Sequence, residues 1–174
     1  MDAALPELAR LRDELFILAC DTAAGALAQA GARPHAVVCL EAQVYNTEDF
    51  LPLGGAPLPV IIDLSAHPSA FRNLSGPKAL SLSEWTASPF LERLKALGLA
   101  LEAVPPLGSV GVLALRIARS LGNPILIVGL DFAFPEGRTH CLGSPSDLRA
   151  RRAESRLVKA PAAWEASLRE GRSL

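Results

Sequence analysis

Short apolar runs alternate with segments of helical periodicity along most of the chain. ELARLRDEL reads as a helix or the end of one, and it leads into LFILAC (15–20), a run suited to a strand buried on both faces. Asp21 and Thr22 can cap the alanine-rich TAAGALAQA, which stops at Gly31. After the Arg33-Pro34 break, HAVVCLE is β-branched enough for a second strand, which completes a strand-helix-strand unit of about thirty residues. LPVIIDL supplies a third strand, and PKALSL is a candidate short one. SPFLERLKALG places Phe90, Leu91, Leu94 and Leu97 on one helical face. The clearest helix is GSVGVLALRIARSLG: Ser109 caps it, Val112, Leu115, Ile117, Ala118 and Leu121 supply an apolar stripe, and Gly122 ends it. PILIVG then reads as the last strand. There is no internal repeat.

This alternation predicts a three-layer α/β/α, Rossmann-like fold with a mostly parallel sheet, spanning residues 1–145, followed by a charged helical tail over 146–174. Such sheets bind ligands beyond the carboxyl ends of their strands. The residues in those places are Asp21-Thr22, then Glu41 and Gln43, then Asp63 to His67, and finally Gly129-Leu130-Asp131. A carboxylate at a strand end can hold a hydrated magnesium ion, orient a ribose, or cap the next helix. For Asp21 the capping and functional readings stand level. Asp131 precedes FAFPEG, which offers no obvious helix to cap. PPLGSVG (105–111) opens a helix with glycine and serine, leaving free N–H groups at the positive end of a dipole. It is neither a Walker A sequence nor a full dinucleotide fingerprint, so an ordinary serine-capped helix is the competing reading.

Composition narrows the class. With 174 residues and 50% hydrophobic content the chain can bury a core of its own. A formal net charge of -1 gives no general attraction to nucleic acid or anionic lipid. The apolar runs are too short to span a bilayer, and MDAALPELARLRDEL does not read as a signal peptide. Cys20, Cys39 and Cys141 are odd in number and widely spaced, which suits a reduced, cytoplasmic protein. Together with His35, His67 and His140 they lack zinc-site spacing, and neither zinc nor haem is expected. The tail gathers Arg149, Arg151, Arg152, Arg156 and Lys159 among acidic residues, as a solvated helix or docking arm would, with Pro161 interrupting it.

ACDTAAGAL, HAVVCLEAQVYN and LGSVGVLALRIARSLGNPILIVGLDFAFPEGRTH together resemble one family over roughly residues 15–144. It comprises bacterial proteins related to archaeal 6-hydroxymethylpterin pyrophosphokinase (MptE-like) and to the motility accessory factor glycosyltransferases of flagellin. The resemblance places Asp21 and Thr22 on a pocket floor, Gly108 and Ser109 against nucleotide phosphates, and Gly129 in the turn that follows the last strand. It makes Asp131 an anchor for metal or ligand and sets Thr139 and His140 at the mouth. Glu41, Gln43 and His67 would stand nearby. Glu41 and Ala42 replace the family's Asp-Pro. Members also begin with a strand and a Gly-Pro-Ser-Leu turn, and MDAALPEL falls inside that region, so the resemblance implies a sheet that either lacks the family's first strand or fills its place differently.

Two chemistries are implied by the resemblance. In one, ATP gives its terminal diphosphate to 6-hydroxymethyl-dihydropterin, with Mg²⁺ held by Asp21 and Asp131 and Arg138 offsetting charge. Trp85 and Phe90 could stack on a base or pterin ring, or serve as core. In the other, a nucleotide-linked sugar acid is transferred to a flagellin-like protein, and His140 serves as acid or base. Against both stands the reading of His140 as a surface turn residue with Arg138 its solvated neighbour. A non-catalytic nucleotide-binding or accessory module is the remaining alternative, and self-association is left open.

Overall fold

Five strands, β1 (Leu18–Cys20), β2 (Ala36–Cys39), β3 (Val60–Asp63), β4 (Lys78–Ser83) and β5 (Glu102–Val104), form one sheet in that spatial order, every neighbouring pair parallel. The computed structural model describes residues 1–84, 88–98, 102–122, 124–132 and 140–157. Trp85, Arg138, Thr139, Lys159 and Pro161 lie outside the described residues. Parallel neighbours cannot be joined by tight hairpins, so each connection carries helix. These are α1 (Leu5–Arg10), ahead of β1, then α2 (Asp21–Gln29), α3 (Thr47–Phe50), α4 (Pro68–Asn73), α5 (Pro89–Ala96), α6 (Val110–Leu121) and α7 (Pro145–Arg152). None of the described helices is long and apolar enough to cross a membrane.

Alternation along the strands sorts side chains between two faces. Ala19, Val37, Cys39, Val60 and Ile62 point to one, where Ala24 and Leu27 of α2, Phe50 of α3 and Ala70 of α4 cover them and Leu5, Leu8 and Ala9 of α1 pack at the side. Leu18, Cys20, Val38 and Ile61 point to the other, under Val110, Leu113, Ala114 and Ile117 of α6. Helices on both faces make this the expected three-layer α/β fold. β2 is buried throughout, as a central parallel strand must be.

Three expectations need correction. The face drawn for α5 is not buried: Phe90 and Leu97 are exposed, and the helix has no fully buried residue. In α6 the inward row is Val110, Leu113, Ala114 and Ile117, and Leu121 is exposed. The inward row keeps the i, i+3, i+4, i+7 spacing of an amphipathic helix, while Arg116, Arg119 and Ser120 are exposed. Residues 124–129 carry no strand pairing among the described residues, and Leu126 and Ile127 are 72% and 53% exposed. A strand needs a neighbour's backbone as well as apolar side chains, and the outer edge of β1 has no partner among the described residues.

One close approach fixes how β4 begins. A Cβ on Gly76 would meet the backbone of Leu58, which a side-chain rotation cannot relieve. Gly76→Ala should therefore cost about 2–4 kcal/mol of stability. Urea unfolding should show a lower midpoint with an unchanged slope; a midpoint within error of wild type would refute the contact.

Candidate functional site

Because every strand runs the same way, the loops leaving their carboxyl ends share one edge of the sheet. Asp21 follows β1 there and is 1% exposed. Its Oδ1 accepts from the N–H of Thr22 at 2.9 Å and its Oδ2 accepts from Asn46 Nδ2 at 3.0 Å. The same Asn46 amide donates to Asp49 Oδ2 at 3.1 Å, while Asn46 Oδ1 accepts from Cys39 Sγ at 3.2 Å. One asparagine thus links the ends of β1 and β2 to α3. Asp21 forms the first residue of α2, and Cys20 occupies the cap position. The side chain of Asp21 holds the inside of the fold together.

Charge is costly in this cluster. Burial, and secondarily the charge of Glu41, raises the pKa of Asp21 against the hydrogen bonds from Thr22 and Asn46. Burial and then the neighbouring Asp21 push Asp49 up to about 6. Burial likewise lifts Cys20 to about 11 and raises Cys39 further, both reinforced by Asp21. These thiols remain protonated and are poor nucleophiles.

Beyond β2, exposed Glu41 accepts from the N–H of Gln43 at 2.9 Å, and its carbonyl accepts from the N–H of His67 at 2.9 Å. His67 caps α4, its Nδ1 accepting from the N–H of Ser69 at 3.3 Å and lying 2.7 Å from the Ser69 hydroxyl. The loops after β2 and β3 are therefore stitched together. Asp63, at the end of β3, accepts from Ser65 through both N–H and hydroxyl, from the Ser81 hydroxyl, and from Ser83 through both N–H and hydroxyl. A carboxylate so fully engaged joins strands.

The start of α6 differs. Ser109 caps it by accepting from the N–H of Gly111 at 3.2 Å, and Gly108 before it has φ 72°. Leu107 and Val110 pack with Cys20 and Leu40, so this helix start stands over the ends of β1 and β2. The side chain of Leu130 lies against Gly111, which brings Leu130-Asp131 to the first turn of α6. Gly129 turns the chain with φ 76°, and Phe132 takes φ 48°, a conformation rarely adopted outside glycine. Asp131 is exposed. The structure thus sets Thr22, Glu41, Gly108, Ser109, Gly129 and Asp131 on one edge, with the Asp21 carboxylate turned beneath it.

His140 keeps other company. Its pKa is lowered by the protein packed about it, with Asp147 opposing and Arg149 adding to the shift. Those neighbours belong to α7, which docks through Arg149: its guanidinium pairs with Glu48 at 2.6 Å and lies 4.8 Å from the centre of the Tyr45 ring. The start of the tail is accordingly attached to the domain. No group of three or more His, Cys, Asp or Glu suited to a metal ion occurs among the described residues. Sequence reasoning missed Asn46 and Asp49. Their three-residue spacing at the start of α3 was the available signal.

The molecule is thus an α/β protein with a glycine-flanked helix start and a carboxylate gathered at the carboxyl edge of a parallel sheet. The family profile of 6-hydroxymethylpterin diphosphokinase MptE-like proteins matches residues 1–137, and the chain belongs to that family. An uncharacterized protein of Treponema pallidum (strain Nichols) is 34% identical over 160 residues, 90% of this chain. That match covers 28% of the relative's length, so the chain spans about a quarter of the longer protein. No solved structure gives a significant match.

The raised pKa of Asp49 fixes the sign of a pH effect. The folded state binds this proton more tightly than the unfolded state does. Its contribution is therefore full below about pH 4 and is lost as pH rises to about 6. Asp49→Asn keeps an acceptor for Asn46 and removes the titration. The variant should gain stability over wild type across that window, reaching on the order of 2 kcal/mol at neutral pH. Denaturant unfolding from pH 4 to 7 reads it, and a pH-independent difference would contradict the assignment.

Proposed function

We propose that the carboxyl edge of the sheet binds the phosphate chain of a nucleoside triphosphate, and that the protein serves diphosphate transfer from ATP to 6-hydroxymethyl-dihydropterin. The observation that carries this reading is the α6 start. Its N-terminal N–H groups, a left-handed Gly108 and a serine cap form an anion cradle to which the contact between Leu130 and Gly111 brings Asp131. Family membership favours the pterin acceptor.

Magnesium bound with phosphates asks for only one or two carboxylates, the remaining positions being phosphate oxygens and water. Exposed Asp131 fits that demand. Asp21, already bonded to Asn46 and Thr22, fits the role of holding the edge in shape. The ion would offset phosphate charge that Lys78 and Lys95, placed on β4 and α5, do not approach through a glycine-rich loop. In the reaction the acceptor hydroxymethyl oxygen attacks the β-phosphorus. The bond from that phosphorus to the oxygen bridging toward the α-phosphate breaks, AMP leaves, and the hydroxyl proton passes to water. Catalysis would then consist of positioning and charge stabilisation by the α6 start.

Calorimetry with ATP and Mg²⁺ tests the reading. Asp131→Asn is expected to weaken ATP binding about tenfold in the presence of Mg²⁺ and to leave the unfolding midpoint within error. Absence of heat with wild type, or equal affinity in the variant, would defeat the proposal.

A further inference from the structure

The loop that leaves β2 holds an exposed aromatic ring in place at the carboxyl edge of the sheet. Residues 44–46 form a 3₁₀ turn, in which successive side chains point about 120° apart. Asn46, 3% exposed, turns down to Asp21 and Cys39, so Tyr45 turns away from the fold, and it is 59% exposed. The guanidinium of Arg149 lies over one face of the Tyr45 ring, 4.8 Å from its centre, and Glu48 holds that guanidinium at 2.6 Å. The other face of the ring has no aromatic or cationic neighbour among the described residues. An exposed ring that is already immobilised has lost the rotamer freedom that binding would otherwise cost. Phe132, also exposed, makes no ring contact among the described residues, and Phe90 lies on α5, in the connection from β4 to β5.

Glu41 stands at the other end of the same loop. Its Oε1 accepts from the N–H of Gln43, which fixes the carboxylate two residues from Tyr45, and its Oε2 has no hydrogen-bond partner among the described residues. A carboxylate only accepts, and two parallel N–H donors satisfy it best. A heterocycle with a 2-amino-4-oxopyrimidine edge offers that pair, from its amino group and the adjacent ring N–H. Adenine sets its amino group beside a bare ring nitrogen, whose lone pair a carboxylate repels. The position also suits an acceptor. α3, into which this loop runs, covers the face of the sheet opposite α6. In-line transfer needs acceptor and leaving group on opposite sides of the phosphorus, and a ring on Tyr45 approaches the α6 start from across the strand ends.

We propose that Tyr45 and Glu41 form the subsite for the acceptor's heterocycle. Tyr45, clamped by Arg149, stacks on the ring, and Glu41 accepts from the 2-amino group and the neighbouring ring N–H. The assignment rests on the diphosphate-transfer reading for the identity of the acceptor, since the edge recognised occurs in pterins and in guanine alike. The clamp comes from α7, beyond residues 1–137, so a part of the chain that the family profile does not cover completes the subsite.

The test titrates the full chain with 6-hydroxymethyl-dihydropterin, followed by pterin fluorescence, and separately with ATP and Mg²⁺ and with guanosine monophosphate, followed by calorimetry. Tyr45→Ala and Glu41→Gln are each expected to weaken pterin binding about tenfold, Arg149→Ala about threefold, and Tyr45→Phe, which keeps the stacking face, less than about twofold. ATP affinity is expected to stay within about twofold in all four variants. Tyr45 and Glu41 are exposed, so their variants keep the fold, which the unfolding midpoint checks. Unchanged pterin affinity in Tyr45→Ala or Glu41→Gln, or no pterin binding by wild type, would overturn the subsite, and unchanged affinity in Arg149→Ala would overturn the clamp. Loss of ATP binding in these variants would overturn the proposal in favour of the adenine base. Guanosine monophosphate binding tighter than the pterin, and lost in the same variants, would overturn it in favour of a guanine nucleotide. A wild type that binds no ATP, with variants that still lose the pterin, would defeat the diphosphate-transfer reading and uphold the subsite.

Discussion

Parallel pairing is the constraint on which this molecule rests. Once β1 to β5 run in one direction, their connections must cross a face of the sheet, and right-handed crossovers decide which face each helix takes. All strand-end loops then reach one edge without any residue having to aim them there. The chemistry-bearing positions are neighbours because of topology, and the side chains only refine the arrangement.

Refinement falls to short polar residues more than to charges. Asn46 satisfies Asp21 and Asp49 at once, and serines surround Asp63. Buried carboxylates are tolerable only with such donors. Asp21 follows β1 and Asp63 ends β3, and their oxygens are occupied from within the fold. The three aspartates are alike in sequence and different in circumstance. Asp131 is the one that meets solvent beside a helix start.

Much of the framework was legible in the chain. LFILAC, HAVVCLE and LPVIIDL contain β1 to β3, PKALSL covers β4 up to its last residue, and the Ser109 cap and Gly122 stop mark α6 within a residue. Those signals are local: β-branched runs, caps and glycine stops. β5 was missed because EAV is too short and too little branched to stand out. The inward face of α6 was legible in the spacing of Val110, Leu113, Ala114 and Ile117, whereas the unpaired state of 124–129 depends on which neighbour is present, which no local pattern encodes. For the site, the strand-end rule found the right edge. It could not tell an inward carboxylate from an outward one, because that depends on Asn46, more than twenty residues from Asp21.

The serines that bind Asp63 have an effect on alignment. Ser81 and Ser83 sit two apart on β4, pointing the same way toward a carboxylate on the adjacent strand. Sliding β4 by one residue would turn both hydroxyls to the far face and strand a buried acid without donors. Hydrophobic patterning alone would tolerate more ambiguity in KALSLS, where leucine and serine alternate. Here a polar triad acts as the ruler that sets the pairing, and greasy contacts fill in around it.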